Sequence, residues 1–269
     1  MTCNQKRQHT TKQHYTPKYR FRFFNDSNNK HHEFYKSGKY SGYLNIGNGI
    51  GACNNLYEPK GELYHENELE HYFANHVENQ QRQLLQTIIK VVEMRNVLNL
   101  ESVSFPNTFL LPYSILNYRE LVDFINTSVY RLFYWQDLII NLTHNRLAFY
   151  IDLCDGHYDS MFSTISICYT SGLKKLILSD VGMAVIESPL AYSTYFPITP
   201  TICIQHIKAK GPNPLLKDGK DGKVYIKKID DATVDMINQS LKEQCYQKFI
   251  TQSKEDYTRY LEVTNETRT

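Results

Sequence analysis

The spacing of hydrophobic positions changes along the chain, and each change predicts a different element. Across residues 67–95, Leu69, Phe73, Val77, Leu84, Ile88 and Val92 recur close to the 3.6-residue period, which predicts one long amphipathic helix. Phe105-Pro106 and Leu111-Pro112 break the chain. Helical spacing then resumes over 116–142 through Leu121, Phe124, Ile125, Val129, Leu132 and Phe133. This second helix is apolar on more than one side, so it belongs at the centre of a helical layer packed on the first. Beyond Arg146 the pattern shortens to runs at 147–153, 163–169, 174–179, 183–187, 195–198, 201–208 and 224–229, separated by turn residues such as Asp155-Gly156 and Ser171-Gly172. Short strands joined by tight turns predict a mostly antiparallel sheet. Earlier in the chain, 31–37 and 39–46 read as a Tyr- and Phe-rich hairpin around Gly38. Asp231 opens a closing helix expected to reach about Phe249, and Ser253 with Asp256 caps a final short one.

The expected fold class is therefore α+β: a helical layer from the first half, packed on a mostly antiparallel sheet from the second half, with a C-terminal helix closing the chain. Residues 13–262 form a single domain, between a flexible basic arm at 1–12 and a frayed tail at 263–269. The Gly47-Asn48-Gly49-Ile50-Gly51 stretch lacks the full dinucleotide pattern and reads as a loop. The Gly- and Lys-rich segment 210–222 reads as a long polar loop.

Composition sharpens this picture at a few points. With 21 Tyr and 13 Phe against one Trp, the core must be lined by tyrosines whose hydroxyls need partners. The six cysteines are scattered singly with no C-x-x-C pair, which argues against a zinc ribbon, a redox motif or a disulfide scaffold. Cys154, Cys168 and Cys203 sit in apolar surroundings as small core residues. No signal peptide and no long apolar run is present, so the expected location is cytoplasmic, without a membrane partner. A net charge of +2 does not by itself announce a nucleic-acid binder. The charge is nonetheless unevenly spread. Cations gather in the first 36 residues and between Lys208 and Lys228, whereas Glu58, Glu62, Glu66, Glu68, Glu70 and Glu78 lie between them. Two basic ends beside an acidic cluster is an arrangement that a metal-using enzyme acting on nucleic acid requires.

The densest chemistry lies in Gln13-His14-Tyr15-Thr16-Pro17-Lys18-Tyr19-Arg20-Phe21-Arg22-Phe23-Phe24. Pro17 presets φ and lacks an N–H, so a short helix should start beside it, with His14 just ahead. Phe21 and Phe24 share the face that buries, while Lys18, Arg20 and Arg22 stay wet as an anion-seeking surface. On the long helix, Glu70 and Glu78 lie on neighbouring flanks, and His71, Asn75 and Glu78 form an i, i+4, i+7 row. The run Leu176-Ile177-Leu178-Ser179-Asp180 places a carboxylate at a strand tip, where a rigid scaffold can aim a metal ligand or a general base. Each of these also has a plainer reading, as packing histidine, solvated face or turn aspartate.

Taken in order, Gln13-His14-Tyr15-x-Pro17, Leu69-Glu70, Ser179-Asp180, Phe196-Pro197-Ile198-Thr199-Pro200 and Ile237-Asn238 resemble the domain-of-unknown-function family numbered 4238, across roughly residues 13–249. Val181-Gly182 stands where that family usually has Asn-Pro after Ser-Asp, and an aromatic rather than aliphatic helix follows the proline. The resemblance implies no settled activity. Its members look like cargo of mobile genomic islands, which implies a role in microbial conflict with phage.

Together these readings lead to an expected nucleic-acid-directed effector of anti-phage defence, working as a divalent-metal-dependent nuclease. Glu70, Glu78 and Asp180 would hold Mg2+ or Mn2+, His14 would serve as base or further ligand, and Lys18, Arg20 and Arg22 would steady the phosphate. The alternative is a non-enzymatic sensor or partner-binding protein that uses the Tyr-rich hairpin at 31–46 and the Lys-rich loop at 210–222 as its interface. Nucleophilic catalysis by Ser179 or a cysteine with His14 has no nucleophile elbow to support it.

Overall fold

A computed structural model describes residues 12–14, 16–46, 50–54, 71, 73–98, 102–104, 163–210 and 223–257. The expected helix at 116–142, the strand at 147–153, the loop at 211–222, the arm before residue 12 and the tail at 263–269 lie outside the described residues.

The chain begins with β1 (Lys12–His14), α1 (Lys18–Arg22), β2 (Lys30–Tyr35), β3 (Tyr40–Asn45) and β4 (Ala52–Asn54). A π-helical turn, Phe73–Glu78, leads into α2 (Asn79–Leu98), followed by β5 (Ser102–Ser104). After the undescribed stretch come β6 (Ser163–Thr170), β7 (Leu178–Ser179), β8 (Ala184–Glu187), β9 (Ala191–Thr199), β10 (Ile202–Ala209), β11 (Lys223–Ile229), α3 (Asp231–Gln244) and β12 (Lys248–Thr251). Helices and largely antiparallel sheets make this an α+β fold, as the periodicity indicates. Among the described residues, no helix is long and apolar enough to cross a membrane.

The main sheet has six strands in the order β5-β11-β6-β10-β9-β8. Among the described strands its one parallel pair is β11 with β6, since β11 does not fold back on β10 but crosses to the far side of β6. Alternation along the strands assigns each face a helix. Ile165, Ile167, Phe196, Ile198, Ile202 and Ile204 pack with Leu85, Ile88 and Val92 of α2 and with Tyr19 of α1. The intervening Cys168, Tyr195 and Cys203 pack with Val234, Ile237 and Leu241 of α3. Burying these aliphatic and aromatic side chains on both faces is the main favourable term, about 1.5–3 kcal/mol for each large side chain fully covered.

A second sheet, β3-β2-β12-β7, joins the N-terminal hairpin to the C-terminal strand. Here the expected extent of the closing helix is corrected. Asp230, not Asp231, caps α3, with its carboxylate accepting the Thr233 N–H at 2.8 Å. The helix stops at Gln244, and Phe249 and Ile250 continue as a strand between β2 and β7. Phe249 stacks on Phe34 while Ile250 packs on the opposite face with Phe21, Phe24 and Leu178. Two adjacent residues buried on opposite sides is a strand's demand, and it overrides helical propensity. The apolar run 174–179 contributes only its last two residues as strand, Leu178 and Ser179. The reciprocal bonds between Ser253 and Asp256 form the cap expected for the final turn.

Candidate functional site

The aromatic helix α1 forms where Pro17 presets it, and Phe21 within it and Phe24 just beyond it are fully buried as the periodicity requires. Lys18 and Arg22 are exposed. Arg20 is not: its side chain lies inside at 1% exposure, correcting the expectation of a wet cation. Its guanidinium stacks 3.6 Å from the Phe196 ring centroid and donates to the carbonyls of Gly182 at 2.7 Å and Pro197 at 3.0 Å. The helix is short and packed at both ends, so 3.6-residue arithmetic alone does not decide which cation turns inward. Complementary carbonyls and an aromatic face do.

Asp180 differs from expectation in the same way. Rather than standing exposed at a strand tip, it is 1% exposed, and its two carboxylate oxygens accept the backbone N–H groups of Tyr246 at 2.9 Å, Gln247 at 2.8 Å and Lys248 at 3.1 Å. Burial pushes its pKa up and these N–H groups pull against that. Its main-chain carbonyl accepts the Thr16 hydroxyl at 2.5 Å. Ser179 accepts the Gly182 N–H through its own hydroxyl oxygen, and Gly182 takes φ +82° where the chain turns. A carboxylate ringed by N–H dipoles already has its lone pairs occupied, and those dipoles point their positive ends where a cation would sit. Asp180 is therefore an anchor for the α3–β12 turn rather than a metal ligand or base. Ser179 is fully buried, so the nucleophile reading has no accessible hydroxyl.

Four segments far apart in sequence thus meet in space. Thr16 and Arg20 grip Asp180, Gly182 and Pro197, while Asn238 of α3 accepts the Ile177 N–H and donates to the Lys175 carbonyl. What brings them together is a network of buried polar groups that fastens the N-terminal segment, the strand tip, β9 and α3 to one another.

Chemistry gathers instead beside α1, where the π-turn enters α2. Glu78, at the end of that turn, has its carboxyl pKa pushed up to about 7 by burial, with the Lys18 charge acting in the opposite direction. His14 is pulled down to about 4 by burial and by the charges of Lys18 and Lys12, so its imidazole is neutral at neutral pH. Lys18 thus acts electrostatically on both groups. Tyr19, raised by burial, with Arg20 opposing and Glu78 adding to the rise, donates its hydroxyl to Gln81 at 2.7 Å. The expected residues His14, Lys18 and Glu78 are therefore electrostatically linked; Arg20 and Asp180 serve the packing network. Glu70 lies outside the described residues. Among the described residues, no group of three or more His, Cys, Asp or Glu is placed to hold a metal ion.

Two features had no clear sequence signal. Glu33 looks like a solvated residue of the hairpin, yet its carboxylate is 1% exposed and accepts from Lys248 at 2.5 Å and from Ser41 at 2.8 Å. Gln81 is a polar residue buried on the same face of α2 as Leu85, Ile88 and Val92. Cys168 and Cys203 are buried as expected of core residues and face each other across β6 and β10, Cys154 lies outside the described residues, and burial pushes the Cys245 thiol up to about 12.

Compared with known proteins, the chain matches no family model, no curated protein and no solved structure.

Proposed function

We propose that this chain is a nucleic-acid-directed effector that cleaves phosphodiester bonds, with Glu78 as its proton-transfer group. The observation that carries the reading is the placement of Glu78 at the end of the π-turn, where burial pushes its carboxyl pKa up to about 7 while the charge of Lys18 opposes the rise. A group that is half protonated near neutral pH can give and take a proton during turnover, and burial is the ordinary way a site tunes a carboxyl to that value. Its position supports the reading too, since π-turns inside helices occur frequently at functional sites. Lys18 and Arg22 are exposed along the same short helix and supply charge for phosphate groups. In the metal-dependent version, Glu78 would supply an oxygen donor to Mg2+ or Mn2+, and the ion would activate water and offset the developing negative charge. A role in anti-phage defence rests on the family resemblance and is proposed with it.

Purified chain incubated with single- and double-stranded DNA and RNA, with and without Mg2+ or Mn2+, tests the reading. Cleavage should rise and level off with pH around 7, and Glu78→Gln should lower kcat by 100-fold or more with the fold intact. No cleavage under any condition, or full activity in Glu78→Gln, removes it. A second reading is a non-enzymatic sensor that binds a protein partner. It is favoured by the hairpin, where Tyr35 and Tyr40 are exposed and His32 stacks on Tyr43. Loss of phage protection in Tyr35→Ala or Tyr40→Ala, with Glu78→Gln fully protective, would select it.

A further inference from the structure

At the opposite end of α2 from Glu78, a cleft of about 350 Å³ opens between α2, the turn joining β9 to β10, and the segment after β12. Its position separates it from the proposed reacting group: at 1.5 Å rise per residue, the helix from Gln81 to Arg95 spans roughly 20 Å. The volume lies in the range of small-ligand pockets.

The lining divides by chemistry. Ile89, Tyr169 and Pro200 give an apolar wall that a flat ring can lie against. Thr199 and Thr201 place two hydroxyls at the same wall, 3.3 Å apart, where they are able to meet the polar edge of that ring. Arg95 supplies the charge. Its guanidinium lies 3.8 Å from the Tyr169 ring centroid, which fixes its plane, and one terminal amino group donates to the Val92 carbonyl. Its Nε–H is buried and has no hydrogen-bond acceptor among the described residues. A buried donor on a held, planar cation is the arrangement that receives an oxyanion through two parallel N–H bonds. Glu93 lines the same cleft and is exposed. It can accept from sugar hydroxyls, and it opposes any negative charge beyond what the single arginine offsets.

We propose that this cleft binds a nucleoside monophosphate: the base against the Tyr169–Pro200 wall, the phosphate on Arg95. The site is independent of the Glu78 reading, because it uses none of the same residues and lies at the other end of the helix.

Calorimetric titration of the full chain tests it, using the four ribonucleoside 5′-monophosphates, their nucleosides, their triphosphates, inorganic phosphate and benzoate as probes. At least one monophosphate should saturate at 1:1, at least tenfold tighter than its nucleoside, its triphosphate, inorganic phosphate or benzoate. Arg95→Gln should weaken that binding by tenfold or more. Glu93→Lys, at an exposed position, should narrow the preference for monophosphate over triphosphate, which keeps the test decisive even where Arg95→Gln perturbs the helix end. Glu78→Gln should bind as wild type while losing cleavage, so failure of either reading is distinguishable from failure of the other. The proposal is overturned if no monophosphate saturates below a few millimolar, if phosphate or benzoate binds as tightly as the nucleotides, or if neither variant changes the binding.

Discussion

Replacing Asp180 with alanine should destabilise the protein severely. The carboxylate accepts three backbone N–H groups, from Tyr246, Gln247 and Lys248, at 2.8–3.1 Å, and its side chain is 1% exposed. A hydrogen bond to a charged acceptor contributes about 1.5–3 kcal/mol, and a buried donor left without an acceptor costs a similar amount. The three bonds share one group and are not additive, so the expected loss is about 3–5 kcal/mol, a large fraction of the 5–15 kcal/mol that holds a typical domain together. Asp230→Ala provides the comparison. That carboxylate also accepts a backbone N–H, at 2.8 Å, but on the surface as a helix cap, and such a loss costs only about 1 kcal/mol. Urea unfolding followed by circular dichroism reads both: Asp180→Ala should move the midpoint several times further than Asp230→Ala, at similar slope. A folded Asp180→Ala variant that loses less than 1 kcal/mol would refute the anchor assignment and return Asp180 to the list of residues available for chemistry.

Two further outcomes are expected. Gly182→Ala should destabilise by about 2 kcal/mol or more in the same unfolding assay, because its φ of +82° disfavours any side chain and an added Cβ would lie 2.2 Å from a terminal nitrogen of Arg20. Glu78 should make stability depend on pH. Its folded pKa, about 7, lies above the ordinary 4.5, so between these values the folded state holds a proton that the unfolded chain has released. Its contribution is full below pH 4.5 and is lost as pH rises to 7, on the order of 3 kcal/mol. Midpoints measured from pH 4.5 to 8 should show this fall in wild type and a flatter profile in Glu78→Gln, and identical profiles would count against a buried, proton-retaining carboxyl.

The fold class was legible because periodicity is a local record of burial. Ile88 and Val92 turn inward on α2 as their spacing indicates, with Leu84 partly buried beside them, and the alternation of Ile165 and Ile167 with Cys168, or of Ile202 and Ile204 with Cys203, marks a sheet covered on both sides. Turn and cap chemistry was legible for the same reason: Pro17 starts α1, and Ser253 and Asp256 bond reciprocally. These signals need only neighbours a few residues away.

Tertiary structure alone decided which polar residues are buried as anchors and which stay exposed. Arg20 and Lys18 are two residues apart and chemically alike in sequence, yet only Arg20 finds Phe196 and the carbonyls of Gly182 and Pro197, all more than 160 positions later. Asp180 reads as a free carboxylate until the turn after α3 brings three N–H groups to it, and Phe249 reads as helix until β2 and β7 take it between them. Glu78 takes its proton affinity from burial, and Arg95 gains a cleft from strands that lie far along the chain. Charge, burial and hydrogen-bond demand are properties of surroundings, and distant parts of the chain supply those surroundings only once it has folded.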